Sequence, residues 1–290
     1  MPEGVSGGAL AFLSDKLIYA GGTAWRNQIK HWLTETVVYN PQTDEWSKGP
    51  ALPEPLAYGA CVRTDHSLEV LGGLNASGLS RKCWRLDAGS ERWVESGVVP
   101  SGTVFGRAEV VRGHAYLFGG CPSTELSLCI ASVLKRNLSG GWEKVSEMPG
   151  GSIAISAISV LRDQVYLFGG CSNLPPHGVR NRNEAFRFDP LTNQWKTLRP
   201  LPEAARGMTA VPVNRRYLLL AGGYVDSPAG FSAAAYLYDI ETDQYIRSTP
   251  LPLPVMGMEM ASHAGSIWAL GGEDKPRHRS SRLFKARLAE

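Results

Sequence analysis

Apolar and polar positions alternate along this chain in short bursts. Six times an apolar run ends in a pair of glycines: LIYAGG at Gly22, EVLGG at Gly73, YLFGG at Gly120 and again at Gly170, LLLAGG at Gly223, and WALGG at Gly272. The pairs, at 21–22, 72–73, 119–120, 169–170, 222–223 and 271–272, recur every 47 to 53 residues. A run of small residues precedes the glycine run, as in AYGACVR, FGRAEVV and RGMTAVPV. Beyond a loop of variable length come ETVVYNP, EAFRFDP or AYLYDIE, where every second side chain is apolar, the period of a half-buried strand. Trp46, Trp93, Trp142, Trp195 and Tyr245 then head a further strand, reached through turns such as NPQTDEW and DPLTNQW. Each unit therefore predicts four short strands, and the period is not that of a helical solenoid. Glycine at the end of the second strand allows positive φ and lets a neighbouring sheet pack close.

A unit with an apolar-Gly-Gly ending, a later Tyr or Phe and a Trp about seven residues beyond resembles the kelch repeat, and the resemblance covers essentially the whole chain. It implies one all-β domain over residues 1–290, a six-bladed β-propeller with the small-residue strands lining a central channel and the Trp strands outermost. The last unit departs from the pattern, because MGMEMASHAGSIWALGGEDKPRHRSSRLFKARLAE has no fourth-strand tryptophan. Only MPEG stands before the first inner strand. Either the sixth blade has three strands, or residues upstream of Met1 complete it.

Composition narrows the partners. With 43% hydrophobic and 20% charged residues, the 290-residue chain can bury a sizeable core. A formal charge of +3 gives no reason to expect nucleic acid or an anionic membrane. No run of 18 apolar residues occurs, and the start MPEGVSGGALAFLSDK lacks a basic region, so the chain as written is expected in the cytoplasm, or in the periplasm if a signal has been removed. The five cysteines are odd in number and form no CxxC pair, which predicts free, mostly buried thiols. The histidines show no metal-ligand spacing, and no metal or cofactor is expected.

The candidate chemistry lies in GGEDKPRHRSSRLF, residues 271–284, where an acid and a row of bases follow the last glycine pair. Propellers bind at the channel mouth, in loops leaving the inner strands. Glu273 and Arg279 stand six residues apart. A carboxylate beside a fixed cation suits proton transfer on a sugar acid, with arginine clamping the substrate carboxylate. A solvated charged loop is the plainer alternative. The same stretch resembles the Gly-Glu-x-Lys-Pro-x-x-Arg loop of N-acetylneuraminate (sialic acid) mutarotases, with Glu273, Lys275, Pro276 and Arg279 on the matching positions. Gly4 to Gly22, GVSGGALAFLSDKLIYAGG, resembles the strand pair that follows that loop, so the chain looks like the cyclically permuted branch of that family. The resemblance implies interconversion of the α and β anomers of free sialic acid without a cofactor, Glu273 acting as general acid/base and Arg279 binding the substrate carboxylate. Lys275, Arg107, Arg206, Glu259 and Arg26 are further candidates for substrate contact. Two readings compete with the enzyme: a kelch module that binds a protein partner, and a degenerate homologue that only binds a sugar. Self-association is left open.

Overall fold

The computed structural model describes residues 1–137 and 140–287. Six antiparallel sheets follow one another along the chain, each with its strands in chain order from the inside out. Blade 1 comprises Ala9–Leu13, Lys16–Ala20, Thr36–Asn40 and Glu45–Lys48; blade 2, Ala60–Arg63, Ser67–Asn75, Gly78–Asp87 and Val94–Val98. Blade 3 comprises Arg107–Val111, His114–Phe118, Ser132–Arg136 and Trp142–Glu147; blade 4, Ala157–Leu161, Gln164–Phe168, Ala185–Asp189 and Gln194–Leu198. Blade 5 comprises Ala205–Pro212, Tyr217–Asp226, Ala235–Asp239 and Gln244–Arg247; blade 6, among the described residues, Glu259–His263, Ser266–Leu270 and Leu283–Arg287. The inner strands touch in sequence around a closed ring, with blade 1 meeting both blade 2 and blade 6. The architecture is the six-bladed, all-β propeller that the resemblance to kelch repeats implies.

Period-two alternation gives each sheet two faces, and each face is covered by an adjacent blade. The core is accordingly six layers between blades. One holds Ile18, Leu68 and Trp84 between blades 1 and 2, and another holds Leu10, Tyr19 and Leu270 between blades 6 and 1. Each fully buried leucine of this kind contributes about 1.5–3 kcal/mol. The aromatic on the fourth strand packs on the Tyr or Phe directly opposite it on the third: Tyr39 with Trp46 at 4.9 Å, Phe188 with Trp195 at 5.0 Å and Tyr238 with Tyr245 at 5.0 Å. That cross-strand pair is the physical content of the seven-residue aromatic spacing.

The glycine pairs fix the blade-to-blade contact. Gly271 has φ 74°, and a Cβ there would stand 2.6 Å from the Val5 carbonyl oxygen. The second glycine donates its N–H to a carbonyl on the segment entering the next blade: Gly22 to Leu56, Gly170 to Ala205 and Gly223 to Val255, at 2.7–2.8 Å. Gly272 makes the same bond to Val5 at 2.9 Å, while Val5 N–H reaches Ser280 O at 3.2 Å. The segment before the first strand thus does for blades 6 and 1 what the covalent connectors do elsewhere.

The cysteine expectation needs correction. Cys121 and Cys129 form a disulfide, because the short 3-10 turn Leu126–Leu128 folds the loop after the third glycine pair back on itself and leaves their Cα atoms 4.0 Å apart. Cys61, Cys83 and Cys171 are free. Burial pushes the Cys61 and Cys171 thiols up to about 11 and Cys83 to about 12.

Candidate functional site at the channel mouth

The loop after Gly272 is a tight double-back. Glu273 exchanges two backbone hydrogen bonds with Met256, at 2.7 and 2.9 Å. A turn closed by His278 N–H to Lys275 O, with Arg277 at φ 57°, then returns the chain to Ser280, whose N–H bonds Gly272 O at 2.8 Å. This geometry sets Glu273 and Arg279 side by side. Arg279 Nη1 meets Glu273 Oε2 at 2.7 Å, with side-chain exposures of 6% and 22%. Arg279 Nε reaches Thr23 Oγ1 at 3.4 Å, and Thr23 is fully buried. No hydrogen bond occupies Arg279 Nη2 among the described residues. Gly4 allows the close packing, since a Cβ there would lie 2.0 Å from Arg279 O. The charged run is therefore split: residues 275–278 are exposed, while Glu273 and Arg279 turn inward.

Both side chains line a cavity of about 100 Å³ at the channel mouth, with Tyr58, Phe105, Arg107, Ile155 and Glu259 among its walls. Its rim is a ring of left-handed residues, one entering each blade: Gly7, Tyr58, Phe105, Ile155, Gly207 and Gly257, with φ between 56° and 74°. Backbone hydrogen bonds of 2.7–3.2 Å run from Tyr58 to Gly7, Phe105 to Tyr58, Ile155 to Phe105, Gly207 to Ile155 and Gly257 to Gly207. Ser6 Oγ donates to Gly257 O at 3.3 Å, closing the circle. Non-glycine residues at such φ cost about 1–3 kcal/mol each and concentrate at functional sites. Here they divide the rim. Blades 2, 3 and 4 project side chains, whereas blades 5, 6 and 1 carry glycine, against which Met256 packs at Gly207 and the Tyr58 ring at Gly7.

Tyr58 was not among the candidates read from the sequence, although aligning the six strand entries would have exposed a tyrosine where three copies carry glycine. Its half-buried ring lies 5.4 Å from Phe105 and 5.8 Å, edge-on, from Trp32. Its hydroxyl is 3.3 Å from Thr23 Oγ1, and the Lys30 ammonium lies 4.7 Å from the ring centroid. Lys30 stands on the hairpin Thr23–Arg26 and Ile29–Trp32, which rises beside the mouth. Burial pushes the phenol up, but Lys30, the bond from Thr23 and the Arg279 charge outweigh it and hold Tyr58 below the ordinary tyrosine range.

The remaining candidates separate. Glu259 Oε2 accepts from Arg63 Nη2 at 2.7 Å, and Glu259 Oε1 lies 3.9 Å from Arg107 Nη1. Arg63 also donates to Leu10 O and Arg107 to Ser156 O, so this cluster ties five blades together across the channel. Glu109, on the Arg107 strand, has its carboxyl pushed up to about 7 by burial, against the pull of Arg63 and Arg107. Three candidates do not line the cavity. Arg206 pairs with Asn181 at 2.7 Å and lies over the Tyr224 ring, Arg26 is held by Glu3 at 2.6 Å, and Lys275 sits on the exposed turn.

Comparison with known proteins agrees with this architecture. The kelch motif matches residues 156–202, which span blade 4. The chain is 26% identical to the kelch-like protein terF of Aspergillus terreus, over 91% of its own length and 60% of that protein's, and 22% identical to kelch-like protein 35 of Mus musculus, over 94% and 44%. It is 36% identical to the N-acetylneuraminate epimerase of Yersinia pestis over 86 residues, 29% of this chain and 22% of that enzyme. The chain thus spans less than two thirds of the length of these relatives. No helix among the described residues is long and apolar enough to cross a membrane. The chain is a six-bladed β-propeller that carries a kelch motif and resembles in sequence both kelch-like proteins and, over a shorter stretch, N-acetylneuraminate epimerases.

Proposed function

We propose that this propeller is a mutarotase-like isomerase that interconverts the α and β anomers of a sialic acid at the channel mouth, with Glu273 as general acid/base and Arg279 as the carboxylate-binding cation. The observation that carries the reading is the 2.7 Å contact between these two side chains at the wall of one cavity. Arg279 spends Nη1 on Glu273 and Nε on Thr23, which leaves Nη2 for a ligand carboxylate. At about 100 Å³ the cavity takes the carboxylate and anomeric carbon, while the rest of a nine-carbon sugar lies outside it, over the rim. Glu259 and Arg107 form the polar floor. No cofactor is required for proton transfer of this kind.

The test is anomer exchange of N-acetylneuraminic acid followed by NMR. The wild-type protein is expected to accelerate exchange, and Glu273→Gln to remove about 10²- to 10⁴-fold of that acceleration while still accepting a hydrogen bond from Arg279. A wild-type protein that leaves the exchange rate of every sialic acid tried at its background value refutes the reading. The second reading is a binding module for a protein partner, favoured by the longer span over which the chain resembles kelch-like proteins. It predicts a stoichiometric complex that survives Glu273→Gln.

A further inference from the structure

Mutarotation moves two protons, one off the anomeric hydroxyl and one onto the ring oxygen. The ionisable groups lining the cavity are Tyr58, Arg107, Glu259, Glu273 and Arg279. Arginine does not exchange protons at these pH values. Glu259 is held between two arginines, Arg63 at 2.7 Å and Arg107 at 3.9 Å, with both its oxygens engaged, whereas Glu273 pairs with Arg279 through Oε2 alone. Glu273 accounts for one proton, and Tyr58 is the one remaining group of the set able to carry the other.

We propose that Tyr58 is the second catalytic residue of the isomerase, donating the proton that the ring oxygen takes when the sugar opens. The inference rests on the mutarotase reading above. Glu273 carboxylate takes the anomeric hydroxyl proton as the carbonyl forms. The bond between anomeric carbon and ring oxygen breaks, its electron pair stays on that oxygen, and the Tyr58 phenol protonates it. After rotation presents the other carbonyl face, the new hydroxyl attacks the carbonyl carbon and returns its proton to the Tyr58 phenolate. The carbonyl oxygen recovers a proton from Glu273. Nothing is consumed, and both groups end as they began.

Three features of the structure suit Tyr58 to this step. Its left-handed backbone, φ 60°, is held by the rim bonds to Gly7 and Phe105, and its ring packs against Phe105 and Trp32. A Cβ on Gly7 would lie 2.5 Å from the Tyr58 ring, so glycine at that rim position is what lets the ring pack at the mouth. The transient phenolate has Thr23 Oγ1 at 3.3 Å, the Lys30 ammonium beside the ring and the Arg279 charge to stabilise it. The other charged or titratable groups around it are Glu273, Arg107, Glu259 and Tyr19.

The experiment measures anomer exchange against pH and substrate concentration for wild type, Tyr58→Phe and Lys30→Gln. Tyr58→Phe keeps the ring packing and is expected to lower kcat by about 10²-fold, to change KM less than about threefold, and to remove the alkaline limb of the pH profile. Lys30→Gln keeps the phenol but removes a cation that holds it low, so the limb is expected to move to higher pH; this variant carries the test should Tyr58→Phe fail to fold. If the wild type accelerates exchange and Tyr58→Phe does so within about threefold, Tyr58 is overturned while the isomerase reading stands. A rise in KM with kcat unchanged likewise overturns it, as does a limb unmoved in Lys30→Gln. A wild type without acceleration overturns both.

Discussion

Glu109 offers a quantitative test of how dry the channel is. Its carboxyl is pushed from 4.5 up to about 7, burial outweighing the attraction of Arg63 and Arg107. In the folded protein it therefore stays protonated over a range in which the unfolded chain has already released the proton. The folded state binds more protons there, so stability falls as pH rises. The contribution is fully present below about pH 4.5 and is lost as pH passes through about 7, at roughly 1.4 kcal/mol per pH unit and about 3 kcal/mol in all. Glu109→Gln fixes the side chain in a neutral form of the same shape. Urea denaturation of both proteins at intervals from about pH 4 to pH 8 gives the difference directly, and the titrations of all other carboxylates cancel in it. The variant is expected to match the wild type at the acid end and to exceed it by about 3 kcal/mol at the alkaline end. A difference flat with pH would refute the reasoning, because it would mean that Glu109 is as well solvated folded as unfolded.

Two further predictions concern the ring and the disulfide. Gly271→Ala places a Cβ at φ 74° and 2.6 Å from Val5 O, where neither backbone can yield freely, and is expected to destabilise the fold by about 2–4 kcal/mol; an unchanged urea midpoint would refute the closure described for blades 6 and 1. Denatured without reductant, the chain is expected to show three reactive thiols, Cys61, Cys83 and Cys171, and five after reduction, with loss of the Cys121–Cys129 link across a separation of eight residues costing about 2–3 kcal/mol; five thiols at the outset would remove the disulfide.

The sequence by itself determined the blades. Glycine pairs, alternating strands and the aromatic seven residues past a Tyr or Phe are local signals, each set by a turn, a pleat or a cross-strand neighbour within one fifty-residue unit. The six-residue separation of Glu273 and Arg279 was legible too, but a solvated loop fitted it equally well, and only the turn closed by His278 N–H to Lys275 O sets the two side by side. Tertiary structure decided what no local spacing contains. Tyr58 shares a cavity with Arg279 and Glu273 only because the ring closes and brings blades 2 and 6 to one mouth, where Thr23, on a hairpin of blade 1, bridges Tyr58 and Arg279. Arg107 and Arg206 look alike, both opening an inner strand, yet Arg107 follows its left-handed rim residue Phe105 and Arg206 precedes Gly207. That reversal of the backbone sends the first into the channel and the second to Asn181 and Tyr224. Cys121 and Cys129 pair because a loop folds back, which an eight-residue spacing does not reveal. Local pattern fixes the direction of each strand, but the partners of a side chain at the axis depend on where all six inner strands converge.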